Sequence, residues 1–312
     1  KNIVTILLKQ FVDEDVVLLQ NDSIGTASSK EIPIVIPEQY KIKIVKTIID
    51  ICSMKNFLHL SDFEWYNDVL WDLSVLSQDL PDETLGIRIG EQLRNIMVKV
   101  PSMRESTLST IIKILSNANI PSHLPGVLRD CFWSLGEFSN YVDNGDDLIR
   151  IVIDKECYYS PDIQKLIIPA LLKVFSNWCN HHSDSNIEKI RITLTKLLDY
   201  YEFFTYSEYF EVQERAVECA ELLKLILESM EEEDTGLPLL LSEVLPSLFN
   251  SYELKPISHG TQNKLQNTIT LDCQTPFLTD EEFQKILDQE QSCSEEELYS
   301  NTSLSISVND YD

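Results

Sequence analysis

Within residues 179–184 a thiol, two imidazoles and a carboxylate fall in one run, Cys179-Asn180-His181-His182-Ser183-Asp184. Those are the donor types that hold zinc or copper. No second donor cluster stands elsewhere in the sequence, so the run reads better as the junction of two helices, where histidine meets the negative end of a helix dipole. Asp143-Asn144-Gly145-Asp146-Asp147 has the acids of a calcium loop. Leu148 occupies the position that needs glycine, however, and no Glu closes a twelve-residue loop, so an acidic turn capping a short helix fits better. Nucleotide, nucleophile-elbow and zinc-protease motifs are all missing, and the 5 histidines (His59, His123, His181, His182, His259) are thin material for acid–base work. The expectation is a protein that is not an enzyme, with no catalytic residue, no metal and no cofactor.

The elements that would position any site are helices. Of 312 residues, 43% are hydrophobic and 24% charged, ordinary globular usage with ample material for a core. Against 25 Lys+Arg stand 51 Asp+Glu, a formal charge of -26 that repels phosphate backbones and anionic headgroups, so no nucleic-acid binding is expected. The longest apolar stretch, Leu166 to Leu172, contains a proline and falls short of the ~20 residues that cross a bilayer, so no transmembrane segment is expected. Seven scattered cysteines with no C-x-x-C pair fit reduced thiols in a cytosolic protein. The chain opens Lys1-Asn2-Ile3 without an initiator Met or a signal-peptide core, and reads as a piece of a longer polypeptide.

Apolar residues recur at helical spacing as far as about residue 250, and strand alternation hardly occurs. Ile163, Leu166, Ile167, Ala170, Leu171, Val174, Phe175 and Trp178 form one unbroken face. Leu108, Ile111, Ile112 and Leu115 repeat the pattern, as do Ile187, Ile190, Leu194, Leu197, Leu198 and Tyr201, and then Val212, Ala216, Ala220, Leu223, Leu227 and Met230. Trp65, Trp71, Trp133 and Trp178 sit among such residues and read as core. Capping boxes are expected at Ser61/Glu64, Ser102/Glu105, Ser185/Glu188 and Thr279/Glu282, and an N-cap at Ser160 before Pro161. Helices are predicted near 1–12, 38–54, 62–77, 82–99, 103–117, 124–139, 146–153, 161–180, 186–203, 211–232 and 238–250, with a loop over 21–37. Alternate helix starts lie 41 to 51 residues apart, the period of HEAT or armadillo repeats, so the fold class is all-α, a helical-repeat solenoid.

Composition changes after Phe249. Residues 251–312 carry 12 acids, 3 lysines and few apolar clusters, too little to offset the entropy of ordering, and read as a disordered acidic linker. One island interrupts it, a short helix over 280–288 that sets Phe283, Ile286 and Leu287 on one side as a candidate partner-binding edge. Ser292 and Ser294 each precede an acid by three residues and are candidate phosphorylation sites. The run Glu228 to Asp234 is either a solvated helix end or a lure for basic partners.

Trp133-Ser134-Leu135-Gly136-Glu137-Phe138 resembles the W-x-x-G-E-[FY] helix end of the large subunits of vesicle-coat adaptor complexes. Ile48-Ile49-Asp50-Ile51-Cys52-Ser53, Phe63-Glu64-Trp65-Tyr66 and Glu211-Val212-Gln213-Glu214-Arg215-Ala216 resemble, in order, the delta-adaptins of adaptor protein complex 3. So does Ser247 to Pro256, where that family's trunk leads into a hinge. The resemblance implies that 1–257 is the C-terminal half of an adaptin trunk and 258–312 the start of the hinge. It further implies a scaffold in a coat complex with a second large, a medium and a small subunit. That complex is cytoplasmic and peripheral on Golgi or endosomal membranes, and it sorts transmembrane cargo to lysosome or vacuole. Cargo and membrane are met through the complex, so no residue here is assigned to either. The other reading is a helical-repeat binding protein of another kind, such as a transport receptor.

Overall fold

The computed structural model describes residues 1–12, 36–154, 159–181, 187–232, 237–250, 260, 261, 263, 264 and 278–288. It divides into two units, residues 1–253 and 254–312. The first consists of α1 (Asn2–Val12), α2 (Glu38–Phe57), α3 (Phe63–Ser77), α4 (Thr84–Lys99), α5 (Arg104–Ser116), α6 (Ile120–His123), α7 (Leu128–Glu137), α8 (Gly145–Ile153), α9 (Pro161–His181), α10 (Ile187–Phe204), α11 (Phe210–Glu232) and α12 (Leu245–Asn250). There is no strand among the described residues.

Helices α2, α4, α7, α9 and α11 pack one upon the next in a first layer, and α3, α5, α8 and α10 do the same in a second. Chain neighbours pair across the layers, α2 with α3, α4 with α5, α8 with α9 and α10 with α11. This is the helical-hairpin solenoid that the spacing of apolar residues predicts, because a helix apolar on one side can be buried only by the hairpins before and after it. The most enclosed helix is α9. Ile167, Leu171, Val174 and Phe175 are fully buried, and Ile168, Leu172 and Cys179 on its other flank are buried too. Burial on two flanks belongs to a helix with neighbours on more than one side.

Several local expectations change. Helix α3 is capped by Asp62, whose Oδ1 accepts from the Trp65 N–H at 2.9 Å, and not by Ser61. No side chain caps α5, because Pro101 opens a 3₁₀ turn over Pro101–Met103 that leads straight into it. The helix expected over 124–139 shortens to α7, since Pro125 and Gly126 form a separate 3₁₀ turn and Ser139–Tyr141 another. Gly145 itself begins α8, preceded by Asn144 without a side-chain cap, while Asp146 and Asp147 occupy the first turn. Ser160 contributes its backbone carbonyl, which accepts from Ile163 and Gln164. The Ser185/Glu188 box and most of the 21–37 loop lie outside the described residues.

Helix α2 ends in an unpredicted left-handed turn, with φ 48, 59 and 66 at Lys55, Asn56 and Phe57. The turn drives Phe57 into the core against Phe63, ring centroids 5.7 Å apart, and Asn56 accepts from Lys99 of α4 at 2.5 Å. Of the four tryptophans only Trp178 is buried, at 2% exposure; Trp65, Trp71 and Trp133 lie half-buried at the edges of the layers.

Candidate functional site

Among the described residues no group of three or more His, Cys, Asp or Glu is placed to hold a metal ion. Cys179 is fully buried in α9, and burial pushes its thiol far above the ordinary value. His182, Ser183 and Asp184 lie outside the described residues. Cys52 is likewise buried, its thiol pushed up to about 11 by burial. Such thiols pack as small hydrophobes and are poor nucleophiles. No described helix is long and apolar enough to cross a membrane.

The motif-bearing segments turn out to be stitches between helices. Glycine at 136 lets α7 cross α9 closely, since a Cβ there would stand 3.0 Å from the Ala170 Cα. Glu137 accepts from Lys173 of α9 at 3.3 Å. Phe138 meets Trp133 edge-on at 6.4 Å and lies beneath the Arg104 guanidinium at 4.9 Å. A buried polar chain then runs outward. The Ser139 hydroxyl donates to the Gly136 carbonyl at 3.0 Å, Asn177 donates to Ser139 at 2.8 Å, and Asn250 of α12 donates to Asn177 at 3.3 Å. The motif thus ties α7 through α9 to the last helix of the unit.

The segment 211–216 has a second stitching task. Pro169 inside α9 lacks an N–H, which deprives the Lys165 carbonyl of its helical partner. Arg215 of α11 donates to that carbonyl, while Glu211 accepts from both Arg215 at 2.8 Å and Lys165 at 3.0 Å. Tyr201 of α10, fully buried, donates its hydroxyl to the neighbouring Ile168 carbonyl at 2.7 Å. The break that Pro169 makes in α9 is therefore answered by groups from the next hairpin. Arg215→Met is expected to cost about 1–3 kcal/mol, because it leaves a part-buried carbonyl without a donor. Urea unfolding that gives the same midpoint for variant and parent would refute this role.

Ile48–Ser53 and Phe63–Tyr66 serve the first hairpins. Ile48, Ile49 and Tyr66 are buried, Asp50 pairs with Arg88 of α4, and burial raises the Tyr66 phenol far above its ordinary value. Within the second layer the buried Asn67 amide donates to Thr107 at 2.9 Å, joining α3 to α5. A further stitch that the sequence motifs do not mark is the pair Arg94–Asp130 between α4 and α7. Asp130 is 2% exposed, and burial raises its carboxyl even though Arg94 lowers it. A lone charge within an apolar helix face was the available signal.

Surfaces come next. Residues 280–288 form the predicted short helix with its capping box: Thr279 N–H donates to Glu282 at 3.0 Å, and Glu282 N–H donates to Thr279 Oγ1 at 3.4 Å. The Thr279 N–H and the Thr279 hydroxyl, which donates at 2.9 Å, hold the Glu282 carboxyl below its ordinary value. Phe283 is 55% and Ile286 43% exposed, with Leu287 half-buried. Ser292 and Ser294 lie outside the described residues. A further exposed surface, the aromatic turn between α10 and α11, was not foreseen, although its composition is unusual.

Residues 23–226 match the family described as adaptin N terminal region. The chain is 56% identical over 292 residues to the AP-3 complex subunit delta of Saccharomyces cerevisiae, covering 94% of this chain and 31% of that protein. It is 46% identical over 282 residues to the Eremothecium gossypii protein of the same name, covering 90% of this chain and 30% of the relative. It therefore spans about a third of those relatives' lengths. Among structures, a chain of a homology model of the full-length AP-3 complex in an intermediate open conformation superposes with a TM-score of 0.64 at 56% identity. That match covers 81% of this chain and 44% of the other.

Proposed function

The chain belongs to the adaptin family, and from that premise we propose that it forms part of a scaffold subunit of a heterotetrameric coat adaptor that sorts transmembrane cargo to lysosome or vacuole. The observation that carries this reading is similarity to AP-3 delta subunits along nearly the whole chain. A scaffold needs a stiff body, and its chemistry is packing. The work of this unit is accordingly to hold a second large subunit, a medium subunit and a small subunit in fixed relation, with cargo and membrane reached through the assembly. Its place is cytoplasmic, peripheral on Golgi or endosomal membranes, and it acts without catalysis.

Residues 1–257 serve as trunk and 258–312 as the beginning of an acidic hinge. In that hinge the Phe283/Ile286/Leu287 edge is a docking point, marginal alone and ordered by a partner's groove. Phosphate on Ser292 or Ser294 would add charge and extend the tether. Phe283→Ala with Ile286→Ala is expected to weaken a trafficking partner about tenfold while leaving subunit assembly unchanged, since two exposed apolar anchors are lost and no trunk residue is touched. Dissolution of the tetramer by that pair would assign the helix to the folded body instead. For the function as a whole, cells lacking the intact protein should misroute a vacuolar or lysosomal membrane cargo and recover when it is restored. Normal delivery without it would sink the reading.

A further inference from the structure

Residues 199–214 contain seven aromatic side chains and five carboxylates, with no lysine or arginine. Three of the aromatics have work inside the fold. Tyr201 is buried on the Ile168 carbonyl, and Tyr200 meets Phe204 edge-on at 5.0 Å. The other four face water: Phe203 is 77% exposed, Tyr206 88%, Tyr209 54% and Phe210 75%. They stand together at the turn from α10 to α11. That turn is tied by Ser207 N–H to the Phe204 carbonyl at 3.0 Å and by the Gln213 amide to the Thr205 carbonyl at 2.9 Å. The rings are thus presented on a braced backbone at one corner of the solenoid.

Clustered aromatic surface left in water is uncommon on a stable protein and marks a place of contact. The carboxylates indicate the contact's chemistry. Glu202 is engaged by Lys224 at 3.2 Å and Glu211 by Lys165 and Arg215. Asp199, Glu208 and Glu214 have no ion pair among the described residues. Ring faces edged by free carboxylates attract cations twice, through the ring quadrupole and through Coulomb attraction. The same carboxylates repel phosphate headgroups and nucleic acid, so neither a membrane nor a nucleic acid fits this corner. We propose that the corner formed by Phe203, Tyr206, Tyr209 and Phe210 docks an arginine- or lysine-rich segment of a protein partner, whose cations lie over the rings and pair with Glu208 and Glu214. This does not depend on which complex the chain joins.

Site-specific crosslinking in the intact protein, in its own cells, tests the idea. The photoreactive probe is Tyr206→p-benzoylphenylalanine, with Leu225→p-benzoylphenylalanine as the control at a residue 54% exposed on α11. Mass spectrometry of the crosslinked peptides should find clustered Arg or Lys at position 206 and a far lower yield at 225. Phe203→Ser with Phe210→Ser, and separately Glu208→Lys with Glu214→Lys, should each reduce the yield about tenfold, because each pair removes one half of the recognition. Neither should move the melting temperature, as these side chains are already in water. Crosslinks to lipid, crosslinked peptides without clustered cations, equal yields at 206 and 225, or insensitivity to either double substitution would overturn the proposal.

Discussion

Leu171→Ala is expected to lower the unfolding free energy by about 2–5 kcal/mol, since it removes a fully buried side chain from a helix enclosed by both layers and leaves a cavity that neighbours cannot close. Trp178→Ala in the same helix should cost about 3–5 kcal/mol. Its ring is packed so tightly on α8 that a Cβ at Gly145 would lie 2.9 Å from the Trp178 Cγ. Leu225→Ala on α11 removes the same bulk as Leu171→Ala from a half-exposed position and should be nearly silent. Hydrogen exchange of the α9 amides in the intact protein reports the difference. Equal loss of protection in Leu171→Ala and Leu225→Ala would overturn the assignment of α9 to the core.

Arg94→Met should be comparably damaging, about 3 kcal/mol at neutral pH, because it strands the Asp130 carboxylate in the seam between α4 and α7. The pH dependence has a definite sign. Burial already raises the Asp130 carboxyl above its ordinary value of 3.8, and Arg94 is the largest influence lowering it. A carboxyl raised by folding favours the folded state fully below its unfolded value and gives up that contribution as pH climbs through the folded value. Without Arg94 the folded value rises further. The penalty of the variant relative to its parent is therefore greatest at neutral pH and shrinks as the pH falls toward the ordinary carboxylate range. A penalty that grows on acidification would show that Asp130 is not the group left stranded.

Helical period, proline-marked joints and repeat spacing were legible because they arise from one rule, that each hairpin buries an apolar face on its neighbours. Thus Ile163 through Trp178 could be assigned a face from spacing alone. Other features depend on groups distant in the chain. Nothing near Pro169 reveals that Arg215, in the next hairpin, will answer the Lys165 carbonyl. The cap falls on Asp62, one position after Ser61, because Asp caps as readily as Ser and its carboxylate reaches the Trp65 N–H. The left-handed turn at Lys55–Phe57 carries no glycine to announce it; burial of Phe57 and the Lys99–Asn56 bond hold it in place. The family motifs mark a resemblance in the sequence, and their physical content, inter-helix stitching, lies in contacts between packed helices.

We propose that this solenoid is part of the body of one subunit in an adaptor heterotetramer. Co-expression of the intact protein with a second large, a medium and a small adaptor subunit, followed by native mass spectrometry, measures it directly. The account predicts a single assembly containing one copy of each chain, and loss of this chain from it when Trp178→Ala loosens the trunk. Finding the other three subunits assembled without it, while it remains alone or bound only to itself, would contradict the account.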